Sequence, residues 1–376
     1  MSDKTQIEWT DATWNPIRGC SRVSEGCRHC YAESQAARII AMDRGRGVPE
    51  GKGAYDGLLA KGGQWNGAIR MLPGLLTQPI RWTKPRKIFV NSMSDLFHES
   101  VPFEFVAAVF GVMASTPHHT YQVLTKRPQR MLEFFAWLAQ QAKGANERYM
   151  SSNRYRGGVE ARQALRDQGK ASLDEPRPPV EMVRGLYDIA TPIISPHMDG
   201  QSRYHHLQHL GERHWRSWPL DNVWLGVSVE DQATAEERIP LLLETPAAVR
   251  WLSMEPLLGP VCFAGMWIPF KNPAIHVNML ERLDWVVVGG ESGKKARPMH
   301  PDWARVIRDQ CAGAEVPFLF KQWGEWIPML GQAEGVSVRG EKHIFDDGTV
   351  MGWAGKKSAG RLLDGQQHDD YPRARQ

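Results

Sequence analysis

"NVWLGVSVEDQATAEERIPLLLET", residues 222–245, carries one complete unit of the pattern that decides the fold. Its first half is a continuous apolar run without polar alternation, as expected of a strand buried on both faces. The run ends on Ser228, Glu230 and Asp231, and a helical stretch follows at once. The unit recurs on both sides. "RKIFVNSMSDLF" (86–97) ends in Asn91, Ser92, Ser94 and Asp95, and "YQVLTKRP" (121–128) ends in Thr125, Lys126 and Arg127. "VRWLSMEPLLGP" (249–260) ends in Ser253 and Glu255, and "LDWVVVGGESG" (283–293) ends in Glu291 and Ser292. "PFLFKQWGEW" (317–326) ends in Lys321, Gln322 and Glu325, and "IEWTDATWNPIRGC" near the start supplies one further strand.

Helical stretches follow the second, third, fourth and sixth of these strands, among them "FEFVAAVFGVMAS" and "PQRMLEFFAWLAQQAK". Apolar strands alternating with helices predict an α/β fold with a parallel sheet. Six or seven units fit a partial or complete (β/α) barrel better than a doubly wound sheet. Barrel chemistry sits at the C-terminal ends of the strands, where this chain puts its polar residues. Ser94 and Asp95 also suit plain loop and helix-cap roles.

The barrel is expected over residues 1–330, interrupted by a partly helical insertion at about 144–220. A Gly- and charge-rich extension follows at 331–376. Within the insertion, "YHHLQHLGERHW" holds His205, His206, His209 and His214. Helical spacing would put His205 and His209 on one face, where a metal site competes with a solvated polar helix. "DRGRGVPEGKGAYDG" (43–57) is a Gly-rich loop without the spacing of a phosphate-binding motif.

A 42% apolar and 23% charged composition is that of a folded chain, and the formal charge of +4 permits contact with phosphate without requiring it. The first twenty residues are polar and no apolar run reaches bilayer length, so a soluble, cytoplasmic protein without membrane contact is expected.

Three of the five cysteines fall within "GCSRVSEGCRHCYAE" (19–33), spaced C-x6-C-x2-C. An odd total in a chain of this size argues against a disulfide framework. Thiolates suit zinc or an iron–sulfur cluster. Structural zinc takes four protein ligands, and the sequence has no second C-x2-C pair. Three thiolates match a [4Fe–4S] cluster that leaves one iron open. A zinc site completed by a distant His stays open at this point.

"GCRHCYAE" resembles the second half of the radical S-adenosylmethionine (SAM) motif, whose usual first gap is three residues and not six. Taken with "FVNSMSDLFHE", "VLTKRP", "VWLGVSVED", "LSMEPLLGP", "VVVGGESG", "FKQWGEW" and "GRLLDG", it resembles the phage-associated three-Cys-motif family. These ordered blocks cover most of the chain outside 144–220. The resemblance implies a radical-SAM-like, TIM-like barrel of a bacterium or phage, an electron donor, and a three-Cys-motif partner protein. It implies Cys20, Cys27 and Cys30 as cluster ligands, and Ser92, Ser94 and Asp95 near the SAM amino group. Lys126, Ser228 and Glu230 would meet the ribose and carboxylate, and Glu255 and Glu291 would be acids facing SAM or substrate. Lys126 and Arg127 would neutralise the SAM carboxylate or a substrate phosphate. The expected activity is SAM cleavage to a 5′-deoxyadenosyl radical, with Glu255, Glu291 and Lys126 as candidate catalytic groups. A nucleic acid or nucleotide is the expected substrate; Trp9, Trp14, Trp323 and Trp326 suit core packing, with stacking on a base as the alternative. The competing expectation is a non-catalytic iron–sulfur or zinc protein that binds nucleic acid or a partner protein.

Overall fold

The computed structural model describes residues 5, 7–151, 181–198, 217–269, 276–330 and 336–372. The chain runs β1 (Ala12–Trp14), α1 (Tyr31–Gly45), β2 (Lys87–Val90), α2 (Phe103–Ser115), β3 (Thr120–Thr125), α3 (Pro128–Ala142) and α4 (Glu181–Ile194). It continues through β4 (Val223–Ser228), α5 (Gln232–Glu244), β5 (Val249–Met254), β6 (Trp285–Gly289), α6 (Pro301–Gly313) and β7 (Phe318–Gln322), with shorter pieces between. The seven strands form one sheet in chain order, every neighbouring pair parallel. A doubly wound sheet reverses its strand order; this one never does. Successive right-handed crossovers therefore turn the same way, helices gather on one face, and the other face curls inward as a partial barrel.

Alternation along the strands divides the side chains between the faces. Ile88, Val90, Val123, Leu225, Val227, Leu252, Val286 and Val288 pack toward the helices in the main core. Phe89, Trp251, Trp285, Val287 and Leu319 turn inward and meet Trp9, with Leu124 and Trp224 against them. Trp251 lies 5.3 Å, centroid to centroid, from both Trp9 and Trp285. Room for these rings comes from Gly226, where a Cβ would lie 2.5 Å from the Trp251 indole. The result is an aromatic plug within the barrel.

β1 and β7 form the two edges of the sheet. The chain returns along the open side of β7, where the Phe320 N–H donates to the His368 carbonyl at 3.0 Å and the Asp370 N–H to that of Phe318 at 3.2 Å. Tyr371 then stacks on Trp285 at 5.3 Å, and Lys87 of β2 sets its ammonium 3.8 Å from the same ring. The last described residues thus cover the plugged end from β7 toward β2. A three-stranded antiparallel sheet of Trp326–Pro328, Lys342–Ile344 and Val350–Trp353 lies between β7 and this return.

From the insertion, α4 packs along α2 and α3 on the helix layer. His205, His206, His209 and His214 lie outside the described residues. Among the described residues, no helix is long and apolar enough to cross a membrane.

Candidate functional site

After β1 the chain forms a short antiparallel pairing of Ile17–Arg18 with Arg70–Met71. It then crosses the end of the sheet where the polar residues gather. This crossing carries the cysteines: Cys20, then Cys27 in a 3-10 turn (Glu25–Cys27), then Cys30 at the start of α1. Four strand tips hold it. Beyond β2, the Ser94 hydroxyl donates to the Ile17 carbonyl at 3.0 Å, and the Tyr31 hydroxyl donates to the Ser92 carbonyl at 2.5 Å. Beyond β3, Arg127 donates to the Ser21 carbonyl at 3.0 Å and hydroxyl at 2.8 Å. Beyond β4, Glu230 lies under Gly26 so closely that a Cβ there would sit 2.5 Å from its Cγ and 2.7 Å from its carboxylate carbon. Beyond β6, Glu291 pairs with His29 Nδ1 at 3.2 Å, and Arg297 reaches from Glu291 to the Glu25 carbonyl at 3.0 Å.

Each tip carboxylate has its own cation. Glu230 is 1% exposed and binds Lys126 and Arg238, the latter at 3.0 Å. Asp95 accepts from the Thr125 hydroxyl at 2.8 Å, the Phe97 N–H at 2.9 Å and Arg127 at 3.1 Å. Glu255 takes both its oxygens to Lys321 at 2.8 Å and accepts from Gln322 at 3.0 Å. Glu291 accepts from the backbone, Nε and Nη2 of Arg297 at 2.7, 2.9 and 2.6 Å. Burial would raise the Glu291 pKa, but the Arg297 and His29 hydrogen bonds outweigh it and hold the carboxyl below the usual range. Its folded pKa is thus below the unfolded value of about 4.3. The stability it contributes is complete above that value and is lost as pH falls through the folded one. The stability gap between wild type and Glu291→Gln should therefore narrow between about pH 5 and pH 3. Urea midpoints at the two pH values measure it, and a constant gap would contradict the assignment.

The thiols sit in this charged frame. Burial first, and then Asp95, push Cys20 up to about 12 against the opposing pull of Arg127. Burial also raises Cys30, while the backbone N–H groups of Glu33 and Ala32 favour its thiolate. Those amides open α1, so Cys30 stands at the electropositive end of a helix. Among the described residues, the one His/Cys/Asp/Glu trio whose ligand atoms all lie within 4.8 Å is His300, Asp302 and Asp347. There His300 caps α6, with Nδ1 accepting the Asp302 N–H at 3.1 Å and Nε2 on Asp347 at 3.0 Å. Cys20, Cys27 and Cys30 do not meet that distance. A tetrahedral zinc with sulfurs at about 2.3 Å would bring them closer. The donor set, three soft thiols on one loop with helix amides at one of them, suits a soft metal ion or an iron–sulfur cluster.

Below the loop the barrel interior changes from aromatic to small and polar. Ser228 and Ser253 are register partners, with Glu255, Lys126 and Lys321 beyond them. Tyr31 keeps 50% of its surface accessible. Yet burial is the largest cause raising its hydroxyl pKa, followed by the charges of Cys30 and Glu255. The Tyr31 hydroxyl thus lies within electrostatic reach of Cys30 and Glu255.

The family model for DUF5131, proteins of unknown function, matches residues 4–372, which include every part of this site. The chain belongs to DUF5131. No curated protein and no solved structure matches it.

In this DUF5131 chain most of the polar residues nominated from sequence already have partners within the protein. Ser92, Ser94, Asp95, Glu230 and Glu291 are engaged by the protein itself, Ser92 through the Asn15 amide oxygen at 3.2 Å. Lys126 and Glu255 are paired as well, with Glu230 and Lys321, but stay part-accessible like the candidate ligands Cys20, Cys27 and Cys30, while Ser228 is buried. Trp9, Trp14, Trp323 and Trp326 are buried core residues and do not offer a face to a base. Arg127, nominated to neutralise a carboxylate or phosphate, is buried and turned to Ser21. Sequence reading missed Arg238, Arg297 and Tyr31. Arg238 stands eight residues after Glu230 and Arg297 six after Glu291. That nearness was the available signal.

Proposed function

We propose that the chain is a radical SAM enzyme in which Cys20, Cys27 and Cys30 hold a [4Fe–4S] cluster over the barrel mouth. When bound, that cluster and SAM supply one-electron cleavage of the sulfonium and hence a radical for hydrogen abstraction. The observation that supports this is the seat of the cysteine loop. It is held by four strand tips across the polar end of a singly wound parallel sheet. The protein's own groups would then fix the loop through Arg127, Glu230 and Arg297. Tyr31, Ser228 and the Glu255–Lys321 pair would line the space for bound molecules, and the aromatic plug would close the far end to water. The phage-associated three-Cys-motif relationship is part of this proposal, with its partner protein and an electron donor. The substrate class proposed is a nucleotide or nucleic acid. Lys126 and Lys321 support it, each part-accessible at the mouth and each paired with one carboxylate.

The test is anaerobic reconstitution with iron and sulfide, reduction, and addition of SAM. The proposal expects 5′-deoxyadenosine from the wild-type protein and at least a hundredfold less from Cys27→Ala. A [4Fe–4S] spectrum without SAM cleavage, under conditions where a known radical SAM enzyme turns over, favours the non-catalytic iron–sulfur reading.

A further inference from the structure

Arg127 occupies a position that ordinary helix chemistry disfavours. It is the N-cap of α3, where short polar side chains are preferred and where the helix dipole repels a cation. It is also buried, 7% exposed. Its guanidinium is fixed on every side. Nε donates to Glu99 at 3.0 Å, Nη1 to Asp95 at 3.1 Å, and Nη2 to the Ser21 carbonyl and hydroxyl. Nη1 also points at the Cys20 sulfur from 3.9 Å.

The neighbours are fixed as well. Asp95 is oriented by Thr125 and by the N–H groups of Phe97 and Lys126, independently of Arg127. His98 Nδ1 accepts the Ser100 N–H at 3.2 Å, which leaves its proton on Nε2, 2.9 Å from the Ser21 hydroxyl. Ser21 thus receives donors from two sides, and the residue beside Cys20 cannot swing.

We propose that Arg127 is a positioning residue for the three-thiol centre, aiming a fixed positive charge at the Cys20 sulfur so that the bound centre accepts an electron more readily. Asp95 sets the opposite bias from behind. This rests on the cluster reading above. A cation and hydrogen-bond donor beside a ligand sulfur favour the more negative, reduced state and raise the reduction potential. Lys in place of Arg keeps the charge but not the planar fork.

The test uses full-length wild type, Arg127→Gln, Arg127→Lys and Asp95→Asn, reconstituted anaerobically and titrated by spectroelectrochemistry. Arg127→Gln should hold a lower potential than wild type, Arg127→Lys an intermediate one, and Asp95→Asn a higher one. A residue that only supports the loop would not shift the two charge changes in opposite directions. Equal potentials at equal iron content, or shifts of Arg127→Gln and Asp95→Asn in the same direction, would overturn the proposal. Should Arg127→Gln fail to fold, the Lys and Asn variants still decide it. A potential at or above wild type for Arg127→Lys, with no rise for Asp95→Asn, refutes it. Wild type that takes up no iron overturns this proposal together with the cluster reading. Iron-loaded variants at wild-type potential overturn this one alone.

Discussion

Glu230→Ala is expected to destabilise the protein by about 3–5 kcal/mol, the cost of leaving a buried ion pair half removed. Two cations, Lys126 and Arg238, converge on this carboxylate, with side chains 19% and 3% exposed. Arg238 cannot reach bulk water without moving α5, whereas Lys126 keeps partial access at the mouth. Arg238 also donates to the Ser228 carbonyl at 2.8 Å, so its displacement disturbs the end of β4 itself. Thermal and urea denaturation measure the loss. A change below about 1 kcal/mol would mean the pair is solvated, as surface pairs are.

Gly26→Ala tests how the cysteine loop is seated. The added Cβ would lie 2.5 Å from Glu230 Cγ and 2.6 Å from its Oε1. That side chain cannot yield, because Lys126 and Arg238 hold it. The loop must lift, at an overpacking cost of about 1–3 kcal/mol, and Cys27 moves with it. Iron retained after reconstitution should fall by at least half. The two substitutions are coupled: in a Glu230→Ala background the Gly26→Ala cost should shrink by about 0.5–3 kcal/mol. Additive losses would show that Gly26 does not rest on Glu230.

The barrel was legible because strands covered on both faces read as unbroken apolar runs, and "NVWLGVS", "VRWLSM" and "WVVVG" each proved to be a strand of the parallel sheet. The polar tips were legible for the same reason, as the first residues past each run. Their partners were not. Ser94 and Asp95 suited either ligand or loop roles in sequence, and they take the loop role: Ser94 donates to the Ile17 carbonyl and Asp95 accepts from Phe97 and Arg127. The return along β7 left no apolar signal in "HDDY", since edge pairing uses backbone groups that any residue carries. Arg127 gave no sign of its direction, which depends on Asp95 and Glu99 from the connection after β2 meeting Ser21 from the cysteine loop.

The central claim is that Cys20, Cys27 and Cys30 hold an iron–sulfur cluster over the barrel mouth. Its most direct test is the iron and acid-labile sulfide content of anaerobically reconstituted wild type, beside a Cys20→Ala/Cys27→Ala/Cys30→Ala triple variant of verified fold. The account predicts about four of each per wild-type chain and almost none in the triple variant. One zinc per chain with no iron uptake, or equal iron in both proteins, would contradict it.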